Sequence, residues 1–241
     1  MKLYHGSFGG VKPIRKAREV APSHTHGSCY TPSMVRQTEW PYFIDNGAFG
    51  GNFDADEWCE LLDDIESMPY PPDFVVLPDV LNDAERTLDR HRRYASEVLD
   101  RHLRPAPVLQ PGLPVRQQVA LAEQLGASIV FVGGACSWQR SFGADIVEEA
   151  HERGLRVHLG NPGSKDRLLW SHRIGFDSAD TTTIVTSQNW DWLEALEAQS
   201  RGGISRGALK KEPRQQTLIS TDGGRNSCNV QPDTDRQEGD R

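Results

Sequence analysis

Cysteine is scarce: the chain of 241 residues holds four, Cys29, Cys59, Cys136 and Cys228, far apart and with no C-x-x-C pair. That spacing suggests neither a zinc ribbon nor a disulfide scaffold. Long apolar runs are missing too, and none approaches the ~20 residues of a membrane span. With no signal-peptide pattern at the N-terminus, the expectation is a soluble, cytoplasmic protein that meets no membrane. Net positive charge is absent: the formal charge is −7, so a nucleic acid would be repelled on average and would need a local basic patch. A G-x-G-x-x-G fingerprint after the first strand is also lacking, which removes the main sign of a dinucleotide-binding sheet.

Apolar content is low at 37%, and the deficit gathers at the C-terminus. Residues 201–241 carry seven apolar side chains in 41: Ile204, Ala208, Leu209, Leu218, Ile219, Cys228 and Val230. Such a segment cannot bury enough surface to offset its ordering entropy, so it reads as a disordered polar tail on a folded domain of residues 1–200.

What is present is an alternation of short apolar runs and helical patterns. Lys2–His5 reads as an opening strand, and residues 9–38 show little periodicity. His24, His26 and Cys29 fall close together there, at a spacing compatible with a metal but better read as incidental loop residues. Tyr42–Ile44 reads as a strand, and Asp54 as the cap of a helix to Met68 with Trp58, Leu61, Leu62 and Ile65 on its core face. Further strands are expected at 73–77, 107–110, 128–132, 155–159 and 175–177, with helices at 83–103, 114–125, 144–153, 165–172 and 190–198 between and after them. Residues 183–185 are a possible extra strand. Solid apolar strands separated by helices are the pattern of parallel βα units, buried on both faces. Polar residues fall at the C-terminal ends of many different strands, which favours an α/β fold closed as a (β/α)8 TIM-like barrel over an open sheet.

The lip of such a barrel would carry Asp45 with Phe49, Asp79, Gln110, Gly133 and Gly134, His158 or Asn161, and Asp177 with Asp180. Asp45 opens the sharpest local feature: the strand Tyr42–Ile44 ends in an acid, and the glycine-rich turn to Gly51 follows. An acid there loses water and needs a partner, a ligand or a proton. Several carboxylates without a His/Cys cluster suggest acid–base and nucleophilic work at a glycosidic carbon, with no metal or cofactor required. An aromatic ring such as Phe49, and the donors and acceptors of Asp79 and Gln110, suit a nucleobase.

The motif Asp45-Asn46-Gly47-Ala48-Phe49 resembles the D-S-G-G/A-F motif of the tRNA-guanine transglycosylases. Phe176-Asp177-Ser178-Ala179 is similar to their archaeal F-D-S-A stretch, and Asp79, Gln110 and Gly133-Gly134 occur between them in the family's order. The resemblance spans about residues 40–185. It implies that Asp177 attacks C1′, that Asp45 is the acid–base, that Phe49 stacks on the base with Asn46 beside it, and that Asp79, Gln110 and Gly134 read its edge. Aligned with the bacterial G-x-D-x-F-D pattern, Asp180 takes the attacking role instead; the F-D-S-A match places it on Asp177. The family's zinc module has no counterpart, since the only cysteine after the nucleophile is Cys228. The chain therefore looks more like the compact phage and bacterial paralogues that insert 7-deazaguanines into DNA. The implied activity is exchange of guanine in DNA for a cyano- or aminomethyl-deazaguanine through a covalent aspartyl intermediate. The alternatives are exchange on tRNA, a glycosidase, and a barrel that binds a base without exchanging it. Phosphate contacts would come from the arginines of residues 85–104, or from Arg15, Lys16 and Arg18.

Overall fold

The computed structural model describes residues 1–6, 11–31, 41–48, 53–66, 68 and 70–202. The elements run β1 (Lys2–Gly6), α1 (Val11–Val20), β2 (Thr25–Tyr30), β3 (Tyr42–Ile44), α2 (Ala55–Glu66), β4 (Val75–Val76) and α3 (Ala84–Leu99). They continue with β5 (Pro105–Ala106), β6 (Val108–Leu109), α4 (Val115–Gln124), β7 (Ile129–Val132), α5 (Cys136–Glu152) and β8 (Arg156–Leu159). The last are α6 (Lys165–Ile174), β9 (Ser178–Thr181), α7 (Thr183–Thr186) and α8 (Trp190–Arg201).

All pairings are parallel, in the order β5-β4-β3-β2-β1-β9-β8-β7-β6. The two ends of that order, β5 and β6, are one stretch of chain interrupted at Pro107, which has no N–H to give the ladder. Its carbonyl still accepts from the Phe131 amide at 2.8 Å. Nine segments thus make eight staves of a nearly closed, TIM-like α/β barrel.

Period-two alternation decides what fills it. On β7, Val130 and Val132 pack outward with Leu3, Val157, Leu159 and the helical residues Val119, Ile146 and Leu168. Ile129 and Phe131 turn inward to Tyr4, Phe43, Phe74, Val76 and Val108. The far side has its own outer layer, where Ile44, Val75 and Leu77 meet Trp58, Leu62 and Ile65 of α2. The helices begin where sequence chemistry starts them. Asp54 accepts from the Asp56 and Glu57 amides, Asp83 from Arg86 and Ser164 from Arg167, which satisfies first-turn donors. Gly175 ends α6 with φ 103°, in the left-handed region that favours glycine.

Four expectations are corrected. Residues 9–38 contain α1 and β2; among the described side chains of α1 only Ile14 and Ala17 are buried, amid charges, and β2 is poor in β-branched residues, so pairing with β1 and β3 makes the strand rather than propensity. Helix α5 begins at Cys136, not near 144. Gly143, which lowers helix propensity there, is where Trp170 packs: a Cβ on it would stand 2.6 Å from the indole. The final strand is Ser178–Thr181, so residues 175–177 form its approach and Asp177 lies before it. Thr183–Thr186 is a helical turn, not a strand. Most of the expected tail, residues 203–241, lies outside the described residues. No helix among the described residues is long and apolar enough to cross a membrane.

Candidate active site

Strand register places the site. Leu159 pairs with Ala179, Val132 with Leu159 and Leu109 with Val132. The next residue along each stave is Asp180, Gly160, Gly133 and Gln110, so these four share one level at the C-terminal lip. Asp45 follows β3 directly and is tied to the neighbouring stave by its amide, which donates to the Tyr30 carbonyl at 2.7 Å.

The turn after Asp45 is built by side chains. Asp45 Oδ1 accepts from the Gly47 amide at 2.9 Å, and Asn46 Oδ1 from the Ala48 amide at 2.8 Å. Gly47 stands at φ 71°, a conformation that suits glycine. Asn46 Nδ2 donates to the Leu77 carbonyl at 2.7 Å and to Asp79 Oδ1 at 2.8 Å. Gln110 Nε2 donates to the other oxygen, Asp79 Oδ2, at 2.6 Å, while its Oε1 accepts from the Asn82 amide at 3.0 Å. Gln118 clamps the Gln110 backbone from both sides. Asp79 is therefore held by two amides, and Gln110 is pinned at both ends.

Burial pushes the Asp79 carboxyl up, against the stabilising pull of those amides and of Arg90. Asp45 is pushed further, to about 7, first by burial and then by the charges of Asp180 and Asp79. At neutral pH it can hold or release a proton. Cys29, inward on β2, feels the same field: burial, then Asp180 and Asp45, raise its thiol well above the usual range.

Asp180 is set by a buried relay. His158 Nε2 lies 3.0 Å from Asp180 Oδ1, and His158 Nδ1 lies 2.9 Å from Ser178 Oγ. The Asn161 amide adds a contact to the same Oδ1 at 3.2 Å. Within the described residues, hydrogen bonds reach only Oδ1 of Asp180 and only Oδ1 of Asp45, whereas both oxygens of Asp79 are engaged. Two carboxylates thus keep one oxygen without such a bond among the described residues, and the third is held at both. Comparison with protein-family models and with curated proteins finds no match for this chain. What the site does is read from its own groups.

Asp177 is not among them. It precedes β9, at the N-terminal end of the barrel, where its Oδ2 accepts from the Val157 amide at 2.9 Å and meets His151 Nε2 at 2.9 Å. Phe49 lies outside the described residues, as do Gly50 and Gly51. Another ring faces the mouth: partly exposed Phe131 stacks on His158 with centroids 4.8 Å apart, and its edge occupies the space that a Cβ on Gly160 would take, 2.5 Å away. A Cβ on Gly133 would stand 2.7 Å from Gln110 Nε2, and one on Gly134, at φ 75°, 2.7 Å from Pro111. These glycines therefore keep the lip shallow beside the fixed amide.

The three residues with metal-like spacing diverge. His26 bonds the Ala21 carbonyl and His5 on the outer side, His24 meets Ser200, and Cys29 faces inward. Among the described residues no group of histidines, cysteines and acids could hold a metal. Four of the nine residues expected to contact phosphate have partners of their own. Arg92 pairs with Asp89, Arg101 with Asp63 and Glu97, and Arg18 donates to a backbone carbonyl. Lys16 lies over Trp190. Arg90 reaches the site, donating to the Asp79 carbonyl at 2.6 Å.

Proposed function

We propose that the chain is a nucleic-acid base-exchange enzyme, a DNA guanine transglycosylase that inserts a 7-deazaguanine, with Asp180 as nucleophile and Asp45 as acid–base. The observation that carries this reading is the division of labour among the three lip carboxylates: Asp45 and Asp180 each keep Oδ2 unbonded within the described residues, and Asp79 does not. In the first half-reaction Asp180 Oδ2 bonds to C1′ as the C1′–N9 bond breaks, and the departing guanine takes the electron pair and a proton from Asp45. In the second, ionised Asp45 removes the N9 proton of the incoming deazaguanine. That nitrogen then bonds to C1′, and the ester to Asp180 breaks. A residue with a pKa near neutrality suits both proton transfers. Asp79, Gln110 and the Gly133-Gly134 lip offer the acceptors and donors for a purine edge, and Phe131 a face for its ring. The target base must leave a duplex stack before any of these can reach it.

The test is incubation with DNA and labelled 7-deazaguanine, with tRNA in parallel, followed by mass spectrometry of the protein. Label in DNA and an adduct on Asp180, lost in Asp180→Asn and retained in Asp177→Asn, are expected. Label in tRNA alone would move the substrate to RNA. Base release without incorporation would make the protein a hydrolase, and no adduct on any aspartate would overturn the mechanism.

A further inference from the structure

We propose that the rim between α5 and α6 is a phosphate-binding subsite, held by Arg140, Arg167 and the first turn of α6. Neither arginine has an acid for a partner among the described residues. Arg140 lies over the Trp170 ring at 4.9 Å, and Arg167 donates to Cys136 Sγ at 2.8 Å and to Gln139 Oε1. Arg167 is half-buried, and its Nε is buried with no hydrogen-bond partner among the described residues. Burial and the neighbouring Arg140 charge push it down to about 10. A half-buried guanidinium beside a second one is an unfavourable arrangement that an anion would relieve. The planar fork of arginine matches phosphate oxygens in particular.

The surrounding backbone agrees. Gly160–Ser164 is the loop after the seventh stave, and it leads straight into the N-terminus of α6. In this class of barrel, loops at that end of the wheel together with a helix N-terminus commonly receive phosphate. Asn161 and Gly163 both take left-handed conformations, φ 41° and 66°, which turn the chain sharply before the helix. The bare Gly163 leaves room beside the guanidinium: a Cβ there would already lie 3.5 Å from an Arg167 terminal nitrogen. Lys165, in the same turn, is paired with Asp191 at 2.9 Å and Asp166 beside it is an exposed acid, so the cations of the subsite are the two arginines. Arg167 also organises the lip, because Gln139, which it holds, donates to the carbonyls of Gly133, Gly134 and Gly160. An anion on Arg167 would thus sit one side chain away from the base-reading level. The inference rests on the nucleic-acid reading for what carries the phosphate, and on the arginines alone for the anion chemistry.

Two measurements on the full chain test it. Inorganic phosphate and a nucleoside monophosphate are titrated by calorimetry, and the salt dependence of binding to a short single-stranded DNA is recorded. Wild type is compared with Arg140→Gln, Arg167→Lys and the Arg140→Gln/Arg167→Gln double variant. Arg92→Gln, on a surface ion pair, is the control. The double variant should bind each phosphate ligand at least roughly tenfold more weakly. Its log–log salt slope should fall by about 0.7 for every phosphate that the removed arginines had neutralised, and the control should match wild type. Loss of free-phosphate binding would assign a mobile phosphorylated ligand, and loss on DNA alone the backbone of the polymer. Arg140 is exposed, so its variant keeps the test valid if removing Arg167 impairs folding. Unchanged slope and affinity in both Arg140→Gln and the double variant would overturn the subsite, as would a wild type that binds none of the three ligands. Neither measurement needs base exchange, so an enzyme that exchanges no base but shows the altered slope loses the reaction and keeps the subsite.

Discussion

Replacing Asp45 by asparagine should stabilise the protein at alkaline pH and leave it unchanged in acid. The Asp45 carboxyl rises from an ordinary 3.8 to about 7 because burial and the charges of Asp180 and Asp79 disfavour its ionised form. A folded-state pKa above the unfolded one means that the folded state binds the extra proton between those values. The stability from this group is complete below about pH 4 and is lost as pH rises through 7. Taken whole, that range corresponds to about 4 kcal/mol. Asp45 is partly open to the mouth, so screening reduces the figure to about 2 kcal/mol. Asparagine keeps the acceptor for the Gly47 amide and carries no charge at any pH. Denaturant unfolding of wild type and Asp45→Asn, measured from pH 4 to 8, gives a difference curve from which distant titrations cancel. It should start near zero and climb by about 2 kcal/mol in favour of asparagine. A flat curve, or a less stable variant at pH 8, would refute the account of Asp45 as a carboxyl strained by its neighbours. If the proposed base exchange is the activity, it should be abolished in the same variant, which would trade activity for stability at one atom.

Gly133→Ala places a methyl 2.7 Å from Gln110 Nε2 and 2.8 Å from Val108 Cγ1, against an amide that cannot yield; a cost of about 1–3 kcal/mol is expected from the melting temperature. Gly27→Ala meets the Pro41 carbonyl at 2.4 Å, backbone against backbone, so expression should yield little folded protein, and a normally folded variant would contradict the close approach of β2 to the entry of β3. His158→Phe keeps a ring among Phe43, Phe74 and Phe131 but strips partners from Asp180 and Ser178. It should cost about 1–3 kcal/mol, read by denaturant unfolding, and wild-type stability would show that the relay carries no weight.

Much of the architecture was legible because burial on both faces leaves a strong mark. Runs such as Ile129–Val132 can only be strands or buried helix, and flanking glycines shorten them to strands. β2 was illegible for the converse reason: Thr-His-Gly-Ser-Cys-Tyr has neither propensity nor alternation, and becomes a strand because β1 and β3 offer it hydrogen bonds on both sides. In the site, Asp45, Asn46, Asp79, Gln110, Gly133 and Gly134 converge as strand-end residues should. Asp177 misled because the F-D-S-A resemblance is indifferent to where a strand begins. Gly175 caps a helix and Phe176 fills the outer core, so the strand starts one residue after Asp177. Arg167 and Gln139 carried no motif at all; their importance comes from the packing of α5 against α6.

Asp177 and Asp180 are three residues apart, and on a strand that spacing settles their fates. An odd separation puts side chains on opposite faces, and three residues at about 3.3 Å each span most of a four-residue strand. Asp180 therefore shares the inward face with Ser178, and both reach His158. Asp177 shares the outward parity of Ala179 and reaches His151 on a helix. No adjustment short of a register slip could bring both into one pocket, and a slip would turn Ala179 into the barrel and Ser178 out of it. On the proposed mechanism the relay gives Asp180 a fixed geometry for attack. A carboxylate accepts only, so His158 presents Nε2–H to it and accepts a hydrogen bond from the Ser178 hydroxyl at Nδ1. With Nε2–H and the Asn161 amide both on Oδ1, the carboxylate cannot rotate freely, and Oδ2 is held in one orientation above the aromatic floor.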